Sequence, residues 1–328
     1  MISILDCTLR DGGYINDFNF GRKYISEIIS SLAQAKIEII ECGFLKSNAF
    51  DKNKTLFGSI EAIDEFITKK GNNSKYVAMI AYGDISLDEI SEYNGYSVTG
   101  IRLTFHENQI EEAMNFAKEL AKKGYDIFVQ PVGTAFYTDK MLLDLINKVN
   151  ELDPYAFYIV DTLGTMYSRD ILRMFYLIDN NLKRNIKVGY HSHNNLQLSF
   201  SNSQELISLN PKREIIIDSS VFGMGRGAGN LCTELITRYI NENIADKYDI
   251  MPILEIMDEY IMPVYRQHPW GYSAPYYIAA INDCHPNYAT FLMNKETLCI
   301  RDINSIIKSI PEENKHIYSE ELIGRMYF

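Results

Sequence analysis

The sequence is poor in several things, and each shortage closes off a class of protein. It has one tryptophan and five cysteines in 328 residues. Cys7, Cys42, Cys232, Cys284 and Cys299 are odd in number and widely spread, with no Cys-x-x-Cys pair. That pattern argues against a disulfide framework or a zinc knuckle and suits reduced thiols in a cytoplasm. No apolar run reaches the ~18 residues of a membrane span, so no membrane partner is expected. The opening Met1-Ile2-Ser3-Ile4-Leu5-Asp6 lacks a basic n-region and an apolar h-region. No signal peptide is therefore expected, and the expected location is cytoplasmic. Basic residues number 32 against 43 acidic ones, a formal charge of −11, with no Lys/Arg-dense stretch. A nucleic-acid groove needs a local basic stripe, so nucleic acid is not an expected partner.

What is present is an ordinary globular composition, 46% apolar and 23% charged, which argues against a disordered, collagenous or coiled-coil chain. Tyrosine is abundant, at 23 residues. One rhythm repeats along the chain. Short β-branched or aromatic runs occur near 2–5, 37–40, 76–80, 98–103, 125–129, 155–160, 186–190 and 214–217. Between them lie helix-spaced apolar residues, such as Tyr24, Ile28, Ile29 and Leu32, or Met141, Leu142, Leu145, Ile146 and Val149. Eight strand–helix units read as an α/β chain, a (β/α)8 TIM barrel over residues 1–245. A doubly wound open sheet is the alternative. The last barrel helix is expected from about Leu231 to Ile244. Residues 246–328 carry helical patterns (Ile253–Tyr265, Tyr276–Cys284, Ile303–Ile310) and read as a mostly helical C-terminal extension.

In such a barrel the site forms where strands end. There the sequence is rich in polar groups: Arg10-Asp11-Gly12-Gly13-Tyr14 after the first strand, Glu41 after the second, Arg102 and His106 near the end of the fourth. Asp161-Thr162-Leu163-Gly164-Thr165 follows the sixth, His191-Ser192-His193 the seventh, and Asp218-Ser219-Ser220 the eighth. Residues i and i+2 of a strand point to one side, so His191 and His193 aim two imidazoles at one point. Asp11, on the loop after the first strand, lies within reach of them across a closed barrel. An Asp/His/His set suits a divalent cation, Mn²⁺ or Mg²⁺ first, with Zn²⁺ or Co²⁺ as alternatives. Arg10 is a fixed cation able to stabilise an enolate oxygen. The Gly223–Gly229 run does not fit G-x-G-x-x-G, because Ala228 holds the last glycine position. It reads better as close backbone approach presenting Asn230 to the metal region.

Asp6-x-Thr8-Leu9-Arg10-Asp11-Gly12, Glu41, His191-x-His193 and Gly225-x-Gly227-Ala228-Gly229-Asn230 together resemble the metal-dependent DRE-TIM metallolyase superfamily, also called HMGL-like. Asp161-Thr162-Leu163-Gly164-Thr165-Met166 and Ala228-Gly229-Asn230-Leu231 are most similar to its 4-hydroxy-2-oxovalerate aldolase branch. The resemblance implies an aldolase acting between a 2-oxo acid such as pyruvate and an aldehyde. It implies Asp11, His191 and His193 as metal ligands, with Asn230 a further ligand or a neighbour of one. It implies Arg10 against the enolate, Thr162 at the substrate carboxylate, and Glu41 orienting water or substrate. That branch places a histidine three residues after the metal aspartate as the acid/base. Here that position is Tyr14, and His106 becomes a substitute base.

The extension resembles in position the C-terminal extension of that aldolase, which implies contact with a partner dehydrogenase; the alternative is a helical cap that closes the barrel mouth or forms a dimer surface. A homodimer is the expected assembly. Two enzyme alternatives stay open: a Claisen-type acyl-CoA condensing enzyme or acyl-CoA lyase with the same metal set, and a metal-dependent hydrolase. So does a non-catalytic barrel serving as an assembly subunit.

Overall fold

The computed structural model describes residues 1–67, 73–295 and 297–327. Strand β1 (Ile2–Asp6) pairs in parallel with both β2 (Ile39–Leu45) and the last strand, β9 (Ile215–Ser219). This double pairing closes the sheet. Between them run β4 (Lys75–Ala81), β5 (Val98–Phe105), β6 (Asp126–Pro131), β7 (Ala156–Asp161) and β8 (Lys187–Ser192), each parallel to its neighbour. The expected eight-stranded barrel is therefore the fold. One element was not legible: Leu56–Phe57 (β3), a two-residue strand added to the outer side of β2. Nothing in two residues can display a period.

The strands read as near-continuous apolar runs because both faces are buried, as parallel sheets covered by helices require. Alternation still sorts them. Leu5, Val77, Phe128, Ala156, Tyr158 and Ile216 pack together inside the barrel. Their neighbours Ile4, Ala78, Ile127, Val129, Phe157, Ile159, Ile215 and Ile217 pack outward against the helices. Helices Arg22–Gln34, Ile110–Lys122, Asp139–Leu152, Ser168–Asn181 and Thr233–Asn243 cover that outer face with the predicted stripes, for example Ile25, Ile28, Ile29 and Leu32. Burying one such Leu or Ile contributes roughly 1.5–3 kcal/mol.

The extension is helical. Its first stretch, Met251–Gln267, contains a wide π turn at Met257–Ile261, just before Pro263. Proline has no N–H to donate back along a helix, and the turn widens there. Ile253, Ile256, Ile261 and Trp270 belong to the barrel's own apolar core. From Ile278 onward the tail has a core of its own, built from Ile278, Tyr288, Leu292, Ile303, Ile307 and Ile323. Helices Pro286–Met293 and Glu320–Tyr327 add to those expected. Among the described residues, no helix is long and apolar enough to cross a membrane.

Candidate active site

The site is built on the C-terminal ends of the strands. Asp6 anchors the first loop: its carboxylate accepts from Thr8 N–H (2.9 Å) and from the Thr233 hydroxyl (2.6 Å). Thr8 Oγ1 in turn accepts from Val221 N–H at 2.8 Å, so the first and last loops are stapled together. The Asp-x-Thr of the motif is thus structural, and it sets the turn from which Arg10 and Asp11 emerge.

Asp11, His191 and His193 are all buried and face one another. Asp11 Oδ2 lies 3.6 Å from His191 Nε2 and 3.7 Å from His193 Nε2. These separations are long for hydrogen bonds. They fit ligand atoms spaced around one ion, whose metal–ligand bonds are each about 2.1 Å. The two rings are perpendicular, with centroids 5.3 Å apart. Asp218 Oδ2 lies 3.0 Å from His191 Nδ1. An N–H donated there leaves the Nε2 lone pair for the centre, as ligand histidines require. Both Asp11 oxygens and Asn230 Oδ1 are buried with no hydrogen-bond partner, the Arg10 ion pair to Asp11 Oδ1 aside. Such orphaned acceptors are costly to bury unless something positive sits among them. The donor set therefore fits a divalent cation. Burial alone would raise the Asp11 pKa. Arg10, His193 and His191 outweigh it and hold the carboxyl far below the usual carboxylate range. Burial pushes the His193 imidazole down to about 3, which leaves it neutral.

Arg10 is clamped. Its Nη1 lies 3.1 Å from Asp11 Oδ1, and its Nε donates to Glu41 Oε2 at 2.8 Å. Glu41 falls inside β2, not after it as the sequence suggests, because the strand runs on through Cys42 and Gly43 to Leu45. The same Glu41 oxygen accepts from Arg102 Nη1 at 2.7 Å. Arg102 reaches on to Asp218, which holds His191. Asp11, Arg10, Glu41, Arg102, Asp218 and His191 thus form a closed ring of buried groups. Three carboxylates and two guanidiniums leave it one negative charge. A divalent cation would bring it to +1, and a carboxylate substrate would then neutralise it.

Above this ring is a cavity of about 290 Å³. Arg10, Tyr14, His106, Thr162, His191 and His193 all line it, as the sequence led us to expect. Asp11, Glu41 and Asn230, predicted with them, are buried and do not line it. Gly225 makes room for Asn230, since a Cβ there would sit 2.3 Å from the Asn230 amide nitrogen. Asn230 Nδ2 donates to Met224 O at 3.1 Å, and its Oδ1 is buried without a partner. Thr162 Oγ1 accepts from Gly133 N–H at 2.9 Å. Tyr14 packs edge-on against Phe18 and Phe44, with the Arg226 guanidinium 5.0 Å from its ring centre. Burial lowers the His106 pKa.

Sequence reading missed the roof. His285, His316, Ile317 and Tyr318 of the extension close over the cavity, and Arg226 of the glycine loop joins them. A cap was one of three readings of the tail, but without these residues, and they do line the mouth. It also gave Arg102 and Asp218 no role. The available signal was a charged residue within an otherwise apolar strand, Val98–Phe105 for Arg102 and Ile215–Ser219 for Asp218.

Fold and site together define a (β/α)8 enzyme with a buried carboxylate–bis-imidazole centre under a helical cap. The chain belongs to the HMGL-like family, whose family model matches residues 1–259, and it is an enzyme of the lyase class. It is 25% identical to a 4-hydroxy-2-oxovalerate aldolase of Geobacillus genomosp. 3 over 274 residues, which are 80% of this chain and 77% of that one. It is 24% identical over 241 residues to an oxaloacetate decarboxylase of Mycobacterium tuberculosis (71% of this chain, 68% of that one). Among solved structures, it is similar to the N-terminal domain of a Bacteroides vulgatus protein provisionally assigned as an aldolase. The TM-score is 0.76 at 24% identity, covering 92% of this chain and 98% of that one. The carboxyl transferase domain of Rhizobium etli pyruvate carboxylase, solved with 3-bromopyruvate, shares the fold at a TM-score of 0.73 and 12% identity, over 99% of this chain and 59% of that one.

Proposed function

We propose that the protein is a divalent-metal-dependent aldolase that makes or breaks the bond between C3 of a 2-oxo acid, such as pyruvate, and the carbonyl carbon of an aldehyde. The observation that carries this reading is the convergence of Asp11 Oδ2, His191 Nε2 and His193 Nε2 on one buried point beside a clamped Arg10. Asp11, His191 and His193 would hold the cation, with Asn230 Oδ1 next to them. Mn²⁺ or Mg²⁺ suits this set best, and Zn²⁺ or Co²⁺ could replace them. When bound, the ion supplies Lewis acidity to the keto oxygen of the substrate.

The chain's own residues do the rest. Arg10, fixed by Glu41, places its charge where the enolate oxygen develops, so no reorganisation is needed as the charge forms. Thr162 holds the substrate carboxylate. In the condensing direction His106, neutral at pH 7, takes a proton from C3. C3 then bonds to the acceptor carbon, and the π pair moves onto the acceptor oxygen. Tyr14 delivers its phenolic proton to that oxygen. Solvent restores both groups, and cleavage runs the same steps backward. A cavity of about 290 Å³ under the His285/His316/Ile317/Tyr318 roof suits a short oxo acid and a short aldehyde better than an acyl-CoA. The test is metal content. Gently purified protein should hold about one divalent ion per chain, and Asp11→Asn and His193→Ala should lose it. Retention of both metal and activity in those variants overturns the reading.

A further inference from the structure

The tail contributes two imidazoles that the reaction above leaves without a task, His285 and His316, and His316 is stacked on Phe136 with ring centres 3.7 Å apart. We infer that His285 reaches into the barrel mouth as a fixed hydrogen-bond donor, and that its Nε2–H holds the oxygen of the acceptor carbonyl, or of the hydroxyl it becomes. The inference rests on the aldolase reading and adds to it the residue that recognises the acceptor.

The geometry comes first. His285 is buried and lines the same cavity as His193, His106, Arg226 and Tyr14. Its backbone N–H donates to Lys315 O at 2.8 Å. Its ring lies 6.0 Å from that of Tyr318. It is the N-cap of helix Pro286–Met293, and its Nδ1 accepts from Asn287 N–H at 3.2 Å. A neutral imidazole carries one proton, and a nitrogen that accepts from a backbone N–H cannot also bear it. The proton therefore sits on Nε2, the nitrogen left to face the cavity.

The charge state agrees. Burial pushes the His285 pKa far below the ordinary imidazole value. Arg226, His193 and His106 push it the same way, and Tyr318 packs on the remaining face as a phenol. His285 is thus neutral across the working pH range. A neutral imidazole with its other nitrogen tied to a helix terminus polarises a carbonyl without giving up its proton.

The chemistry needs such a donor. A phenol at position 14 is a weaker acid/base at neutral pH than a histidine would be. In condensation the acceptor's π pair moves onto its oxygen as the C3 bond forms. A second donor lowers the cost of that charge until the Tyr14 proton arrives. In cleavage the same donor eases loss of the hydroxyl proton to Tyr14. The His285 proton stays on Nε2 throughout.

The test uses two substitutions with opposite geometry. His285→Asn puts an amide oxygen where Nδ1 was, so it keeps the helix cap and loses the reach into the cavity. His285→Gln puts an amide N–H near the former Nε2 but has no group that titrates near neutrality. Two assays are run with Mn²⁺: deuterium exchange into pyruvate, and condensation of pyruvate with acetaldehyde, propanal or glycolaldehyde. We expect His285→Asn to lower condensation about 10²–10³-fold, the usual effect of removing one oxyanion donor, with pyruvate exchange unchanged. We expect His285→Gln to recover at least tenfold of that loss. Equal loss in Gln and Asn would show proton transfer instead of donation and overturn the inference. So would normal condensation in the Asn variant, or a wild-type enzyme that exchanges pyruvate protons yet condenses none of the aldehydes. A wild-type enzyme that exchanges no protons refutes the aldolase reading itself, which is a separate failure.

Discussion

Arg102 is fully buried, touches no part of the cavity surface, and links Glu41 to Asp218. Its substitution by Met removes a cation from a ring that already carries one net negative charge. Asp218 Oδ2 then loses its guanidinium and keeps its contact with His191, and Glu41 Oε2 keeps Arg10 Nε. Breaking a buried pair on one side costs about 3–5 kcal/mol. An unfolding entropy of about 2.1 cal/mol/K per residue gives about 0.7 kcal/mol/K for 328 residues. The metal-stripped variant should therefore melt about 4–7 °C below the wild type.

Two further signatures separate this from ordinary core damage. The variant ring is more negative, so saturating Mn²⁺ should raise its melting temperature by more than it raises the wild type's. The penalty should also shrink as pH falls. Burial favours protonating Asp218, and in the wild type Arg102 and the His191 hydrogen bond overcome that and hold its pKa low. Without Arg102, burial dominates and the folded pKa rises above the unfolded one, so the variant is relatively more stable at pH 5 than at pH 8. Arg102→Lys keeps the charge and should lose less, which covers the case where the Met variant does not fold. A drop below about 1 kcal/mol, or equal Mn²⁺ shifts in both proteins, would refute the charge-balance argument.

Gly164 sits at φ +63°, and a Cβ there would lie 2.7 Å from the His193 carbonyl oxygen. Gly164→Ala should displace His193 and weaken Mn²⁺ binding by about 10–100-fold in calorimetry, the range for disturbed ligand support; an unchanged affinity would count against it. Burial raises Asp161 to about 7, against backbone hydrogen bonds from Thr165 and Met166. Its folded pKa exceeds its unfolded one, so its contribution to stability is lost as pH rises from about 4 to 7. Asp161→Asn should flatten the urea-denaturation stability profile over that window, and an unaltered slope would show that Asp161 does not set it. Tyr14→Phe should slow condensation at least about 10²-fold, because proton transfer by a positioned group contributes that much or more; near-normal turnover would reduce Tyr14 to packing.

The barrel was legible because eight strands and most of the helices between them carry a full period of apolar residues; contrary to expectation, β4 is followed by no α-helix, only by a short turn at Leu87–Glu89. The buried Asp11/His191/His193 cluster was legible because His191-x-His193 is short-range and a strand's alternation fixes where both rings point. Asp11 and Arg10 followed from barrel closure. Glu41 was placed one element too late because Cys42, Gly43 and Phe44 continue the strand without β-branched residues. The roof was beyond sequence reading. His285 and His316 reach the cavity only through the tail's second core, which depends on contacts such as Tyr288 Oη with Asn314 O and Ile317 O. No local period encodes those. The Arg102–Asp218 link joins residues 116 positions apart for the same reason.

As proposed above, Asp11, His191 and His193 would hold a divalent ion supplying Lewis acidity, and a 2-oxo acid would lose its C3 proton to form an enolate beside Arg10. Proton exchange at C3 of pyruvate in deuterated water reads that claim without any acceptor. Enzyme-dependent deuterium incorporation is expected with Mn²⁺, abolished by EDTA and by Asp11→Asn. Incorporation by Asp11→Asn at the wild-type rate, with or without the ion, would contradict it.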